Sequence, residues 1–353
     1  MFNMKKVFSR TAMILAATVA LAACGVENDA EVTNTSAQKN SSEPIVVYSS
    51  LNEDAMTRIE ESFEKTTGIE MDYLLFNSAG EASSRVQAEG KSPQADVLIG
   101  GSVEFYEPLA ETELLAQYAS PNAKDLDPMF LNVDNYFQGW YTGVLAYVLN
   151  NERFAETVGA KGVQEPTTWE DITDPAYKDA LILPNPATVG SGYIYTATQI
   201  FRKGEDEAFK YFEQTAANAH HFTASGGDSI NLVSTGEFTI GLHWAHDIIK
   251  AAEKGYPIKA IIPEENAIEI GGSAILAGTD QMDESQQFID WLLSVEGQEL
   301  IRNETARYSV RDDIAPPAGV PAFSELKLID YNRVKATEMK EDILSRYTPL
   351  TTK

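Results

Sequence analysis

Hydrophobic positions in the first third of the chain alternate between strand-like runs and helix-like spacings. An apolar, β-branched run at residues 45–48 precedes residues 54–66, where Ile59 and Phe63 recur at helical spacing and Gly68 supplies a stop. Further segments of the same kinds are a strand at 71–76, a helix at 81–89, a strand at 96–99 and a helix start after Gly101. This βαβαβ order predicts a parallel sheet with ligand sites at the carboxyl ends of its strands.

The pattern restarts beyond residue 141 and predicts a second α/β lobe. Strands are predicted at 144–149, 181–183, 239–244 and 258–262, and helices at 192–201 and 206–217. A strand at 270–276 then leads into one amphipathic helix over 284–301, with an apolar face of Phe288, Trp291, Leu292 and Leu300. We therefore expect a first lobe at 44–144, a second lobe at 145–270, and a return to the first lobe with C-terminal helices at 271–353.

The first 23 residues have the features of a bacterial secretory signal. A basic start precedes an apolar run that is too short for a comfortable transmembrane helix, and small residues precede Cys24, the only cysteine. This arrangement resembles a lipobox, which implies cleavage before Cys24 and lipid on its sulfur. Residues 24–43 are polar and lack aromatic side chains, so they predict a flexible tether. We expect an extracytoplasmic protein anchored to a membrane by lipid.

Composition and charge narrow the function classes. The 353 residues are 43% hydrophobic, enough to build sizeable cores, and 27 Lys and Arg stand against 53 Asp and Glu, for a net charge of −26. Such a surface repels a phosphate backbone, so we expect no nucleic-acid partner. A single cysteine excludes an internal disulfide.

Seven segments in order make the chain similar to the solute-binding proteins of bacterial ABC importers. They are residues 48–52, 63–69, 95–98, 185–193, 235–237, 271–274 and 288–298. The resemblance is to the branch that contains ferric-ion and organophosphate binders. It implies a type 2 periplasmic binding protein-like fold: two α/β lobes with parallel-rich sheets, crossing hinge strands and a ligand cleft. It further implies an ABC permease and ATPase as partners, a monomer, and no cofactor.

Within that branch, the resemblance bears on the choice between metal and organic ligands. Ferric relatives carry ligands at positions that correspond here to Asn52, Gly101 and the pair His246–Asp247. Iron(III) prefers phenolate and carboxylate oxygens, so this set predicts a poor ferric site. A ferric or other metal ion, or a phosphonate, remains the alternative ligand.

Hydroxyl and glycine residues at predicted strand and helix ends suit an anion. Free backbone N–H groups and the helix dipole favour phosphate at a helix start, although such a loop is equally an ordinary helix entry. The expected anion contacts are Ser49, Ser50, Thr188, Ser191, Gly192 and Tyr193, and further expected ligand contacts are Asn52, Gly101 and Ser102. Together with the resemblance, they predict capture of a small phosphorylated organic anion.

The resemblance to hexose-phosphate binders implies that His246, Asp247 and Glu269 contact a sugar. Carboxylates accept strong hydrogen bonds from neighbouring hydroxyls. Trp244 offers a stacking face, or else lies in the core. The alternative for Asp247 is a cap on a helix beginning near Ile248, and the alternative for Glu269 is a solvated strand position.

A metal site and a hydrolase are two alternatives to a sugar-phosphate carrier. His243 and His246 have the i, i+3 spacing of a metal-binding helical face, unless His243 lies on the strand. An extracellular hydrolase of phosphorylated compounds is the rival class, but the chain lacks the common nucleophile, zinc and nucleotide motifs. Arg311 either reaches the ligand anion or forms a structural ion pair. We expect a binding protein for a sugar phosphate and no enzymatic activity.

Overall fold

A computed structural model describes residues 43–352, so the predicted signal peptide, Cys24 and all but the last residue of the predicted tether lie outside the described residues. Eleven strands form in the described part: β1 Ile45–Ser49, β2 Met71–Leu75, β3 Val97–Ser102, β4 Leu115–Ala116, β5 Gln138–Asn150, β6 Leu181–Pro184, β7 Ala219–Thr223, β8 Ile240–Trp244, β9 Ile258–Ile261, β10 Ile268–Leu276 and β11 Tyr308–Ser309.

The same part of the chain forms twelve α-helices: α1 Glu53–Thr67, α2 Ala79–Glu89, α3 Glu107–Glu111, α4 Asn151–Glu156, α5 Gly190–Lys203, α6 Glu205–Asn218, α7 Gly226–Ser234, α8 Ala245–Glu253, α9 Met282–Leu292, α10 Val295–Thr305, α11 Arg333–Glu338 and α12 Lys340–Thr351. Among the described residues, none of these helices has the length and apolar character needed to span a bilayer.

Local sequence explains how the first helix begins and ends. Asn52 caps α1, because its Oδ1 accepts a hydrogen bond of 2.9 Å from the backbone N–H of Ala55. The helix stops at Gly68, whose φ of 74° lies in the left-handed region that glycine adopts without a steric penalty. Between these ends, Ile59 and Phe63 are fully buried. The predicted helix is confirmed.

The sheet has parallel ends and an antiparallel centre. Its order is β2-β1-β3-β10-β5-β8-β6-β7. β1 pairs in parallel with β2 and β3, as the βαβαβ pattern predicts, and β6 pairs in parallel with β7 and β8. The long strands β5 and β10 lie between these two sets and run antiparallel to each other.

β5 is the crossing strand that the two lobes share. Its first half pairs with β10, through partners such as Thr142 and Ile270, and its second half pairs with β8, through partners such as Tyr147 and Leu242. Every residue of β5 is buried. We call the part built around β1 to β3 the first lobe and the part built around β6 to β8 the second lobe.

The described part of the chain has two hydrophobic cores, and the first extends from the first lobe into the second through residues such as Ile182 and Val233. Helices α1, α9 and α10 pack on the first core, where Phe63, Phe288 and Trp291 form a cluster of ring contacts. Helices α5 and α6 and the C-terminal α12 pack on the second core, to which α12 adds Ile343 and Tyr347. The chain therefore returns to the first lobe through β10, α9 and α10, and then ends against the second lobe. The expected lobe boundaries stay a prediction.

The predicted secondary structure differs from the observed one in the return segment and in the second lobe. The single helix predicted over residues 284–301 is two helices, α9 and α10. The break arises because the hydroxyl of Ser294 accepts a hydrogen bond from the N–H of Gly297 and so starts a new helix. β7 and α7 were not predicted, although Ser225 and Asp228 form a capping box at the start of α7.

Candidate functional site

A cleft of about 750 Å³ lies between the two lobes. Walls from both lobes and from the C-terminal segment surround it. Nine of the expected ligand contacts line this cleft: Ser50, Gly101, Ser102, Thr188, Ser191, Tyr193, Trp244, Asp247 and Glu269. The structure thus brings together residues that the sequence spreads over more than 200 positions.

The remaining four expected contacts do not line the cleft. Ser49 is fully buried, and its hydroxyl accepts a hydrogen bond from the N–H of Leu51. Asn52 is occupied as the cap of α1. Gly192 packs against the end of β6, and the ring of His246 is 98% buried behind the cleft wall against Gly143. These four shape the walls rather than face the cavity.

Gly101 is a position where only glycine fits. Its φ is +70°, and a Cβ atom there would lie 2.1 Å from the Cβ of Ala79. Its N–H donates a hydrogen bond of 3.0 Å to the hydroxyl of Tyr141. No ligating side chain can be placed at this position without moving the start of α2.

The start of α5 has free donors facing the cleft. Its N-cap is Val189, which offers no capping side chain, and the first turn contains no acidic residue. The backbone N–H groups of Gly190, Ser191 and Gly192 have no acceptor among the described residues. The hydroxyl of Ser191 is buried, with the residue 2% exposed, and also lacks a partner. Such donors give this end of α5 a partial positive charge.

Two other helices start at the cleft, and the sequence analysis did not place them there. α2 begins after Ser78, and α7 begins after Ser225. In both cases the serine hydroxyl already accepts a hydrogen bond from the helix backbone. These two starts add to the positive potential but have fewer free donors than α5.

Asp247 is not a helix cap. α8 begins at Ala245 after Trp244, so the predicted helix start near Ile248 is wrong and Asp247 lies in the first turn. Its Oδ2 lies 3.2 Å from Nδ1 of His243 and 3.5 Å from Nε2 of His246. Burial acts to raise the pKa of Asp247, but these two histidines and Arg307 outweigh it and hold the pKa well below its usual range. Asp247 is therefore ionised.

His243 and His246 do not share a helical face. His243 lies in β8 and lines the cleft, whereas His246 lies in α8 behind the cleft wall. Burial lowers the pKa of His246 to about 3, and Arg307 lowers it further, so its ring is neutral. Within residues 43–352, no three metal-ligating side chains cluster together. The i, i+3 spacing of this pair therefore does not place the two rings on one helical face.

Arg307 is the cation that the sequence analysis missed. Its guanidinium carbon lies 4.8 Å from the centroid of the Tyr141 ring, and the residue is 8% exposed. Burial raises the pKa of Glu269 to about 7, and the charge of Arg307 is the main influence that opposes this rise. No local pattern distinguishes Arg307 from Arg311, because both lie in the same mixed stretch of polar and apolar residues.

Arg311 forms a structural ion pair, which is one of the two alternatives that the sequence left open, and does not reach the cleft. Its guanidinium forms an ion pair with Asp313 in which Nη2 lies 2.7 Å from Oδ2. Both residues line a separate groove beside Phe130 and Phe323 rather than the interlobe cleft. The basic residue of this segment that faces the cleft is Arg307.

The C-terminal segment also contributes to the cleft, and no sequence pattern indicated it. Tyr331, Thr337 and Lys340 are among the lining residues. The cleft is also lined by Glu104, which forms an ion pair of 2.6 Å with Arg333 of the same segment.

The family of the chain follows from its similarity to known proteins. Residues 92–337 match the family described as bacterial extracellular solute-binding protein. The chain belongs to this family. Its relatives are ABC-type periplasmic solute-binding proteins, and the fold class expected from the sequence is confirmed.

Three proteins illustrate the similarity. The periplasmic binding protein AfuA from Actinobacillus pleuropneumoniae, solved with exogenous fructose-6-phosphate bound, is 28% identical with a TM-score of 0.79, covering 88% of this chain and 99% of that one. An uncharacterized protein from Haemophilus influenzae is 30% identical over 88% of this chain and 92% of its own. A putative 2-aminoethylphosphonate-binding periplasmic protein from Salmonella typhimurium is 25% identical over 72% and 74%.

Proposed function

We propose that this protein captures a sugar phosphate in the interlobe cleft and delivers it to an ABC permease with its ATPase. The observation that carries the proposal is the start of α5, where the backbone N–H groups of Gly190 and Ser191 and the buried hydroxyl of Ser191 lie at the cleft without partners. Buried donors are nearly always paired in folded proteins, so this cluster calls for an acceptor. A phosphate group supplies three acceptor oxygens and negative charge to match the helix end.

The other side of the cleft suits the hydroxyl groups of a sugar. Asp247 is ionised and lines the cavity, and Glu269 faces it from β10 with a pKa raised to about 7.

 A carboxylate accepts charge-assisted hydrogen bonds from hydroxyl groups, and Glu269 in its protonated form can also donate one. Trp244, 8% exposed, lies at the same wall and stacks on the ring of His246 at a centroid distance of 6.4 Å. An anionic end and a hydroxyl-reading end fit a molecule that has both groups. The fructose-6-phosphate bound to AfuA is such a molecule, and it supports the choice.

A phosphonate is the second candidate ligand. It presents the same kind of anionic group to the start of α5, and the relative from Salmonella typhimurium bears the name of a 2-aminoethylphosphonate binder. The two acidic side chains Asp247 and Glu269 would then face an amine rather than hydroxyl groups. Both an amine and sugar hydroxyl groups can donate hydrogen bonds to these carboxylates, so the two ligands are compared directly in the experiment.

Iron(III) fits the cleft residues less well. Gly101 has no side chain to offer, and the ring of His246 is buried away from the cleft. Asn52 is engaged as a helix cap. Of the positions where ferric relatives carry ligands, only Asp247 therefore offers a carboxylate to the cleft, which is too few of the hard oxygen ligands that iron(III) prefers.

We further propose that the protein works at the membrane surface as a monomer without catalytic activity. The basic and apolar start of the chain, the small residues before Cys24 and the polar stretch to residue 43 support a cleaved signal peptide, a lipid anchor and a tether. A tethered binding protein stays close to its permease, which raises its effective concentration there.

A ligand panel tests the proposed function. The purified protein is melted with fructose 6-phosphate, fructose, 2-aminoethylphosphonate, inorganic phosphate or ferric citrate, because a ligand selective for the folded state raises the melting temperature by mass action. We expect the largest shift with fructose 6-phosphate. A larger shift with the phosphonate, or a phenolate-to-iron absorption band with ferric citrate, would move the assignment to that ligand. Steady release of phosphate from fructose 6-phosphate would instead indicate a hydrolase.

A further inference from the structure

The C-terminal segment forms a third wall of the cleft. Its residues 331–340 include Tyr331, Thr337 and Lys340, which line the cavity together with residues of both lobes. The segment lies more than 50 residues beyond β10, the last long strand of the sheet. The walls of the cleft are therefore assembled from three separate parts of the chain.

This segment is fixed to the second lobe. Ala336 is 1% exposed in the second core, and its carbonyl oxygen accepts a hydrogen bond from the hydroxyl of Tyr193 in α5. The following helix, α12, buries Ile343 and Tyr347 in the same core. A movement of the second lobe therefore moves the segment with it.

The same segment contacts the first lobe and the strand between the lobes. Nη1 of Arg333 donates a hydrogen bond of 2.6 Å to Glu104, which follows β3. Nη2 of Arg333 donates one of 3.0 Å to the carbonyl oxygen of Ile268 in β10. The segment consequently bridges the two sides of the cleft.

Lys340 lies where the two lobes meet over the cleft. Its Nζ is 5.1 Å from the centroid of the Tyr193 ring and 5.5 Å from that of the Phe105 ring. Tyr193 is in the first part of α5, and the Phe105 ring lies against Gly80 in the first turn of α2, where a Cβ atom would be 3.2 Å from it. The ammonium group is therefore close to two helix starts that line the cleft.

The charge of Lys340 has no acidic partner in the described part of the chain. Two aromatic rings attract it, but no carboxylate of residues 43–352 forms an ion pair with it. Arg333, on the same segment, has Glu104 as its partner. A ring face attracts an ammonium group less strongly than a charge-assisted hydrogen bond to an anion does.

We propose that Lys340 is a specificity-determining residue that binds the anionic group of the ligand beside the start of α5. This inference rests on the proposed function, because it requires an anionic ligand in the cleft. The lysine reaches the ligand from the C-terminal segment, whereas Ser191 and the free N–H groups reach it from α5. A phosphate would thus be held by uncharged donors on one side and by a full positive charge on the other.

The arrangement explains how the cleft would favour phosphate esters over neutral sugars. Backbone N–H groups and serine hydroxyls also bind uncharged oxygens, so the start of α5 discriminates only in part. A lysine ammonium gains much more from a dianion than from a hydroxyl group. Its removal should therefore cost affinity mainly for charged ligands.

The test compares Lys340→Gln with Lys340→Arg and with Lys335→Gln, a change at an exposed lysine of the same segment that does not line the cleft. Titration calorimetry measures the affinity for fructose 6-phosphate at low and high salt. We expect Lys340→Gln to weaken binding about tenfold or more and to reduce its salt dependence, because it removes one charge contact. Lys340→Arg should retain most of the affinity, and Lys335→Gln should match the parent.

The melting temperature of the ligand-free protein separates binding from folding. All three variants should melt as the parent does without ligand, since Lys340 has no ion pair to lose. If Lys340→Gln binds fructose 6-phosphate as tightly as the parent, with the same salt dependence, Lys340 does not contact the anion and the inference is wrong while the proposed function stands. If the parent binds no phosphorylated or phosphonate compound, the proposed function fails and the inference fails with it.

Discussion

Arg307 stacks its guanidinium group over the ring of Tyr141, with 4.8 Å between the guanidinium carbon and the ring centroid. Tyr141 belongs to β5, which both lobes share, so this buried cation lies at the centre of the interlobe cleft. It is also the main influence that opposes the rise in the pKa of Glu269. A single arginine thus limits the rise in the pKa of a carboxyl group that faces the ligand space.

We expect Arg307→Gln to impair ligand binding, whereas Arg311→Gln should not. Loss of the buried cation leaves Asp247 and Glu269 without its compensating charge, so an anionic ligand meets a more negative cleft. Titration calorimetry with fructose 6-phosphate should show at least a tenfold loss for Arg307→Gln. Arg311 forms only a partly exposed ion pair with Asp313, which typically contributes about 0–1 kcal/mol. Equal losses in the two variants would contradict the placement of Arg307 at the site.

The order of strands and helices could be predicted from local sequence, but the long-range contacts of the site could not. Apolar runs, a cap such as Asn52 and a stop such as Gly68 act within a few residues, and most elements predicted from them are confirmed. Arg307 and Lys340 reach the cleft only because distant strands pair and α12 packs on the second core. No pattern within one segment carries that information, so the sequence alone does not distinguish Arg307 from the nearby Arg311 as the residue that reaches the cleft.

The elevated pKa of Glu269 predicts a specific pH dependence of stability. Its pKa rises from 4.5 to about 7 on folding, so the folded state binds the proton more tightly than the unfolded state. The stability that this proton confers is fully present below pH 4.5 and is lost as the pH rises through 7. We expect Glu269→Gln, measured by urea unfolding of the ligand-free protein, to remove this decline between pH 4.5 and 7.

His246 affects stability in the opposite direction over an overlapping range, so the Glu269 effect must be read as a difference between proteins. The pKa of His246 falls from 6.5 to about 3 on folding, and its contribution is lost as the pH falls below 6.5. Subtracting the curve of Glu269→Gln from that of the parent cancels this contribution if the two sites titrate independently. A flat difference curve between pH 4.5 and 7 would mean that Glu269 is not a buried acid with an elevated pKa.

Asp247→Asn should weaken sugar-phosphate binding while leaving binding of inorganic phosphate measurable. Asp247 lies in the first turn of α8, not at its cap, so the substitution removes a charged acceptor without removing a helix cap. Loss of such an acceptor costs about 1.5–3 kcal/mol, or roughly one to two decades in affinity. Parallel titrations with fructose 6-phosphate and with phosphate check the difference. An unchanged preference for fructose 6-phosphate would show that Asp247 does not read the sugar.

Ser191 offers the sharpest test of the phosphate position, because its hydroxyl is buried without a partner in the ligand-free protein. An unpaired buried hydroxyl costs about 1–3 kcal/mol, so Ser191→Ala should leave the empty protein as stable as the parent or more stable. The same change should lower the affinity for fructose 6-phosphate, since it removes one donor. Stability and affinity would therefore move in opposite directions, which general damage to the fold cannot produce.

Ser191→Asp completes this test by placing a negative charge where the phosphate is expected. Aspartate in the first turn of α5 interacts favourably with the helix dipole, so the ligand-free protein should remain folded. Its carboxylate would occupy the free N–H groups and repel the phosphate, and we expect the affinity to fall far more than in Ser191→Ala. Calorimetric titration and thermal melting of both variants give the two quantities on the same samples. If both variants bind fructose 6-phosphate as tightly as the parent, the phosphate lies elsewhere in the cleft, and the free donors of α5 must have another acceptor.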